Sequence, residues 1–270
     1  MKYEPINSPI SWFGGKYRLR KLIISLIPDD HDSYVEVFGG AGWVLFGKEP
    51  SNLEVYNDID GELVNFFQTI KYCSKSFIDY SFDLLNSRDI FYLYRDQSRE
   101  DLNEIERAAR FYYLNRTSFG SMNETYGISR SRPNKLHRDD RITYACKRLR
   151  DVVIEHLDWS NLISRYDYSK AFFYLDPPYE TPASKFYCKT MSPEDYRALA
   201  ETLKKIKGRF LLSINDSENI RRTFEAFQIH EIETKYSVNQ LSESRKEIRT
   251  ELLISNFDCP PEKLIQGVIQ

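Results

Sequence analysis

Ala171-Phe172-Phe173-Tyr174-Leu175-Asp176-Pro177-Pro178-Tyr179 is the stretch that decides how this 270-residue chain folds. Its first five residues are an unbroken run of apolar strand formers, the pattern of a strand buried on both faces of a parallel sheet. A polar group at the carboxyl end of such a strand stands where open α/β sheets bind their ligands. The two prolines fix φ at their own positions and keep Asp176 and Pro177 out of the α region. The stiff turn aims a carboxylate, a backbone carbonyl and an aromatic ring at one point. That set suits an exocyclic amino group on a flat heterocycle: two oxygens accept its two N–H bonds, and Tyr179 stacks on the ring. The plain alternative is an X-Pro-Pro surface turn.

Outward from this stretch, strand and helix signals alternate. Leu19, Leu22, Ile23, Leu26 and Ile27 recur at helical spacing and stop at Pro28. Ser33-Tyr34-Val35-Glu36-Val37 predicts a strand, followed by the glycine loop Phe38-Gly39-Gly40-Ala41-Gly42. Leu53 to Asn57 predicts the next strand, ending at Asp58. From Asp60 to about Arg150 the pattern is helical and polar. Strand character returns at Val152-Val153-Ile154. Ser192-Pro193-Glu194-Asp195 predicts a capped helix start, with Leu199, Leu203 and Ile206 as its buried stripe. Arg209 to Ile214 is another strand, and Gln228 to Val238 with Glu247 to Asn256 predicts a hairpin. The alternation predicts an α/β sheet interrupted by a helical insertion. The expected limits are 1–60 and 151–270 for a catalytic domain and 61–150 for the insertion.

The glycine loop does not fit G-x-G-x-x-G, because Gly40-x-Gly42 is followed at the next required position by Leu45. That argues against a dinucleotide and leaves room for a single nucleoside. Asp58 ends the following strand, where Rossmann-like sheets keep an acid for ribose hydroxyls. A helix N-cap is its other reading.

The net charge of −2 hides a local asymmetry. Between Arg107 and Arg150 there are eleven basic and three acidic residues, a local charge of +8. Aromatics and amides are interleaved there: Tyr112, Tyr113, Phe119, Asn123, Tyr126 and Asn134. A solvated helical face is the ordinary meaning of a charge run, but clustering within one insertion favours a grip on phosphates. Cys73, Cys146, Cys188 and Cys259 are scattered, and the four histidines form no spaced ligand set. Neither a structural metal nor a disulfide framework is expected, and a reducing, cytoplasmic compartment is. No apolar stretch approaches membrane-spanning length, and the amino terminus lacks an apolar signal segment.

Trp12-Phe13-Gly14-Gly15-Lys16, then Phe38-x-Gly40-x-Gly42, then Asp58, then Asp176-Pro177-Pro178-Tyr179 resemble, in that order, the Dam-type, alpha-class DNA adenine-N6 methyltransferases, which use S-adenosylmethionine. Tyr113-Leu114-Asn115-Arg116 resembles a segment of the family's recognition domain, and Glu251-Leu252-Leu253 also looks like the family. The resemblance implies a Rossmann-like methyltransferase sheet with an inserted helical target-recognition domain. It implies that Trp12, Gly14, Gly15 and Lys16 flank the methionine end of the cofactor and that Phe38 packs against it. Gly40 and Gly42 would let the backbone come close, Asp58 would take the ribose hydroxyls, and Asp158 would lie near the cofactor's adenine amino group. Asp158 also reads as a plain helix cap. Asp176, Pro177 and Tyr179 would act on the target amino group of a flipped-out base. Arg116, Phe119, Asn123, Glu124, Arg130, Arg132, Lys135 and Arg138 are the candidate contacts to double-stranded DNA. A restriction endonuclease acting on the same site is a further expected partner; no metal and no membrane is implied.

Two departures from the family pattern bear on function. Val37 stands where family members often have proline, which predicts a looser turn. In GATC-methylating members an arginine after Y-L-N-R reads a guanine; here that position holds Glu124. Glutamate can only accept hydrogen bonds, so the expected site is not GATC, or its flanking bases are read loosely. A cytosine-N4 methyltransferase needs the same carboxylate and ring. A protein glutamine methyltransferase resembles N-P-P-Y instead. An inactive nucleic-acid-binding relative is the remaining alternative, against which intact Gly40, Gly42, Asp58 and Asp176 argue.

Overall fold

The computed structural model describes residues 4–12, 14–121, 123–127, 136, 139–179, 190–236 and 247–267. In chain order its elements are α1 (Arg20–Leu26), β1 (Ser33–Glu36), α2 (Trp43–Gly47), β2 (Leu53–Asn57), α3 (Gly61–Tyr72), α4 (Ser74–Phe82), α5 (Arg88–Asp96), α6 (Glu104–Thr117), α7 (Asp139–Leu149), β3 (Val152–Glu155), α8 (Trp159–Tyr166), β4 (Ala171–Leu175), α9 (Pro193–Leu203), β5 (Arg209–Asn215), α10 (Glu218–Thr223), β6 (Gln228–Tyr236), β7 (Glu247–Ser255) and α11 (Pro261–Gly267). The strands form a seven-stranded, mostly parallel sheet in the order β3-β2-β1-β4-β5-β7-β6. Two compact units make up the chain: Met1–Tyr17 with Gly39–Asp158, and Arg18–Phe38 with Trp159–Gln270. No helix among the described residues is long and apolar enough to cross a membrane.

In the unit containing Asp176, all five residues of β4 and all four of β1 are buried. The continuous apolar run therefore does what its pattern predicts, shielding both faces of a parallel strand. β4 pairs in parallel with β1 on one side and β5 on the other. The β1–β4 ladder continues one residue past the end of β1. Val37 N–H donates to the Tyr174 carbonyl at 2.9 Å, a bond that proline, lacking the donor, cannot make. Ser192 and Asp195 close a capping box on α9, with Pro193 in its first turn. β6 and β7 form an antiparallel hairpin running from Gln228↔Ser255 to Tyr236↔Glu247. β7 also pairs with β5, placing Glu251 opposite Asn215.

In the other unit, β2 and β3 run parallel, from Glu54↔Val152 to Asn57↔Glu155. Helices α3 to α7 bury an aromatic cluster: Phe66 stacks on Tyr112 at 5.8 Å between centroids and meets Phe77 edge-on at 5.8 Å. Asp60, not Asp58, is the N-cap of α3, accepting from the Glu62 and Leu63 N–H groups. The capping alternative for Asp58 is thereby corrected. Two acids stand close together at the end of β2, and the one nearer the helix satisfies its orphan donors.

Candidate active site

In the glycine-loop unit, the acid at the end of β2 is joined to the loop. Asp58 Oδ2 accepts the Gly40 N–H at 2.8 Å, and Oδ1 accepts the Asp60 N–H at 2.9 Å. The Tyr56 hydroxyl donates to the Gly40 carbonyl at 2.7 Å, so both polar groups of that peptide segment are held by β2 and its end. Gly40 has φ of +50° and Gly42 of +67°, a region that costs a residue with a Cβ roughly 1–2 kcal/mol. A Cβ on Gly40 would also stand 2.9 Å from the Trp12 ring. Burial pushes the Asp58 carboxyl up to about 6, against the pull of the Asp60 and Gly40 N–H donors. A carboxylate short of solvation in this way is stabilised by added hydroxyl donors, so its chemistry fits a ribose.

The element before the loop is as tightly made. The Trp12 carbonyl accepts the Gly15 N–H at 3.1 Å. Gly14 is left-handed, with φ of +73°. Lys16 is 4 % exposed and its Nζ donates to the Gly14 carbonyl at 3.1 Å. A Cβ on Gly15 would meet the Trp43 indole at 2.7 Å. Asn115, inside the segment resembling a recognition motif, holds Ser11 at both backbone groups, accepting its N–H at 3.2 Å and donating to its carbonyl at 2.7 Å. Asn57 does the same to Leu157, at 2.8 and 3.1 Å, and so fixes the chain just before Asp158. Neither amide stands out in the sequence, because each contact spans about a hundred residues or more.

In the other unit, Asp176 is oriented rather than merely exposed at a strand end. The Ser213 hydroxyl donates to its Oδ1 at 3.2 Å. Tyr174 Oη lies 2.9 Å from Ser213 Oγ. Burial, then the charge of Asp176, holds the Tyr174 phenol well above its ordinary value. Tyr174 therefore stays protonated, and the chain Tyr174, Ser213, Asp176 runs one way. Tyr179 Oη lies 3.4 Å from the same Asp176 oxygen and donates to Glu251, which is 3 % exposed. Tyr196 donates to the Pro178 carbonyl. Ser213, Tyr196 and the contact of Glu251 with Tyr179 were not expected; Glu251 was marked by resemblance, but nothing local tied it to Tyr179. Phe38 lies two residues beyond the end of β1, and β1 is the parallel neighbour of β4.

Of the candidate DNA contacts, Arg130, Arg132, Lys135 and Arg138 lie outside the described residues. The segment after α6 folds back on itself: Ser118 bridges Tyr126, the Phe119 N–H donates to the Thr125 carbonyl at 2.8 Å, and the Gly127 N–H to the Thr117 carbonyl at 2.8 Å. Between them Gly120, Ser121 and Asn123 are left-handed. Phe119 is 56 % exposed. Glu124 is exposed too, and its carbonyl accepts from Arg95 at 3.3 Å. Arg116 is part-buried at the end of α6. Three of the eleven basic residues are engaged by other groups of the protein, and of these Arg148 is buried. Arg107 pairs with Glu62, Arg110 donates to the Tyr94 and Arg95 carbonyls, and Arg148 pairs with buried Glu54.

The seven-stranded, mostly parallel α/β sheet is that of a Rossmann-like methyltransferase. Residues 12–238 match the D12 class N6 adenine-specific DNA methyltransferase family, and the chain belongs to that family. It is 28 % identical over 270 residues to the type II methyltransferase M1.LlaDCHI of Lactococcus lactis subsp. cremoris, covering 91 % of this chain and 94 % of that protein. It is 28 % identical over 237 residues to the type II methyltransferase M.CviBI of Paramecium bursaria Chlorella virus NC1A, covering 84 % and 90 %. A DNA adenine methylase of Haemophilus influenzae is 25 % identical over 274 residues, covering 92 % of each.

Proposed function

We propose that this chain transfers a methyl group from S-adenosylmethionine to the N6 amino group of adenine at a specific site in double-stranded DNA, after flipping the base out. The observation that carries this is Asp176: a carboxylate on a rigid turn at the end of a buried strand, oriented by Ser213 and flanked by Tyr179. The adenine amino nitrogen is a poor nucleophile because its lone pair is delocalised into the ring. Hydrogen bonds from its two N–H groups to Asp176 and to the Pro177 carbonyl favour a pyramidal nitrogen and localise that pair. Stabilising the charge that develops there is the large electrostatic contribution, and in-line positioning supplies much of the rest. Among the described residues it is the Pro178 carbonyl, not that of Pro177, that Tyr196 takes.

The cofactor, when bound, supplies an electrophilic methyl group on a sulfonium. Trp12, Gly14, Gly15, Lys16, Phe38, Gly40, Gly42, Asp58 and Asp158 are the residues we assign to it, on the strength of the Asp58 carboxylate that holds the Gly40 N–H at 2.8 Å beside two left-handed glycines. An adenine inside a duplex is out of reach, so the base leaves the stack, and Tyr179 replaces part of the stacking it loses. Arg116, Phe119, Asn123, Glu124, Arg130, Arg132, Lys135 and Arg138 are assigned to DNA. A restriction endonuclease sharing the site and a cytoplasmic location belong to the same proposal.

Asp176→Ala is expected to abolish transfer of label from the cofactor to DNA while cofactor binding persists. Turnover close to the unaltered chain's would overturn the mechanism. Nucleoside analysis of the product is expected to show N6-methyladenine; N4-methylcytosine would move the reading to the cytosine enzymes.

A further inference from the structure

Asn215 closes β5 two residues beyond Ser213, and so on the same face of the strand. Its register partner on β7 is Glu251, the acceptor of the Tyr179 hydroxyl. Asn215 Oδ1 is enclosed, yet it has no hydrogen-bond partner. A buried polar atom without a partner costs free energy that a fold normally avoids, so nothing in the fold fixes which end of the Asn215 amide, NH2 or oxygen, faces which way.

Hydrogen-bond bookkeeping around Asp176 says which ligand group belongs there. Asp176 and Glu251 are acceptors. The Ser213 proton goes to Asp176, the Tyr179 proton to Glu251, and Tyr174 faces Ser213. In the reading proposed above, both N6 protons of the flipped adenine are taken by Asp176 and the Pro177 carbonyl. The other polar atoms on the edge of that base, N1, N3 and N7, are ring nitrogens that accept, and so call for a donor. Among the groups just named none has a proton left to give. An asparagine amide turns readily about its terminal torsion and presents NH2 as well as oxygen.

We propose that Asn215 is a specificity-determining residue whose NH2 group donates to a ring nitrogen of the target adenine beside the amino group, N1 or N7. The inference rests on the reading of Asp176 as the amino-group acceptor. If the contact is to N7, it also separates adenine from cytosine, which has no such atom.

The test uses the full chain and three duplexes that differ only in the target base: adenine, 1-deazaadenine or 7-deazaadenine. With the unaltered chain, one deaza target is expected to lower kcat/KM roughly 5- to 150-fold, the reach of a good base contact. Asn215→Ala is expected to lose about as much on adenine and to treat that deaza target as adenine. Cofactor affinity, in which Asn215 is assigned no part, is expected to stay unchanged and shows that the variant is folded. Where Asn215→Ala does not fold, Asn215→Leu, close in size and without an NH2 or a charge, carries the same comparison. An unaltered chain indifferent to both deaza targets, or a variant that still discriminates as the unaltered chain does, overturns the proposal. Absence of any N6-methyladenine from the unaltered chain is a different result and sinks the parent reading.

Discussion

Asp58 sits at the end of β2 with its carboxyl pushed up by burial to about 6, from an unperturbed 3.8. An acid whose folded pKa exceeds its unfolded one contributes stability that is fully present below the unfolded value. That contribution is lost as pH rises through the folded value. The window is therefore about pH 4 to 6. Denaturant unfolding across it is expected to show the unaltered chain losing on the order of 1–3 kcal/mol relative to Asp58→Asn. Asparagine keeps one acceptor, for the Gly40 N–H, and has no charge to desolvate; the Asp60 N–H contact it gives up costs the same at every pH. Parallel pH profiles for the two chains would refute the burial of Asp58. The position of Asp58 was legible from the glycine loop before it and the strand it ends. Its grip on Gly40, and the capping role of Asp60, were not. Two acids two residues apart look alike in sequence, and only backbone geometry separates them.

At the scale of elements, helix α7 is joined to β2, the strand that ends at Asp58, by buried charge. Arg148 on α7 donates to both oxygens of Glu54 on β2, at 2.5 and 2.8 Å, and to the Leu45 carbonyl at 2.9 Å. Lys48 holds the same carboxylate at 2.5 Å. Burial pushes the Glu54 carboxyl up, but Arg148 and Lys48 together hold it below its usual value. Arg148→Met strips this site of one charge and its hydrogen bonds. It is expected to cost about 3–5 kcal/mol, read from the midpoint of urea unfolding. Replacing Arg148, Glu54 and Lys48 together by apolar residues should restore most of that. A single variant as stable as the unaltered chain would show that the network contributes nothing. Arg148 had been counted with the DNA-facing charges. Charge runs report composition, not direction, and a partner 94 positions away is invisible to them.

For the whole molecule, DNA affinity is expected to fall steeply with salt, with a log–log slope of about −0.9 per phosphate contact. Changing Arg130, Arg132 and Arg138 together to alanine should make the slope shallower by roughly 2–3, whereas Arg148→Met should leave it unchanged. An unaltered slope in the triple variant would remove those residues from the DNA surface. Sequence choice is the second molecular property. Glu124 is exposed beyond α6 in a segment closed by Ser118 and Tyr126, and a carboxylate cannot donate to guanine. Methylated DNA digested with a nuclease blocked by adenine methylation in GATC is expected to be cut. Full protection confined to GATC would show the inference from Glu124 to be wrong.

The sheet and the amino-group chemistry were legible in the chain because both are local. A five-residue apolar run dictates a doubly buried strand, and two prolines dictate the turn that follows it. Capping at Ser192 and the buried Leu199 and Leu203 are likewise short-range, set by spacing within a turn or two, whereas Ile206, expected on the same stripe, lies beyond the end of α9 and is half-buried. Tertiary structure alone decided what holds those pieces in working order. Ser213 reaches Asp176, Glu251 reaches Tyr179, Asn115 holds Ser11 and Asn57 holds Leu157. Each is an ordinary polar residue whose partner lies 37 to 104 positions away. Hydrogen bonds between side chains and distant groups follow from which strands and helices become neighbours, and no periodicity in the sequence encodes that.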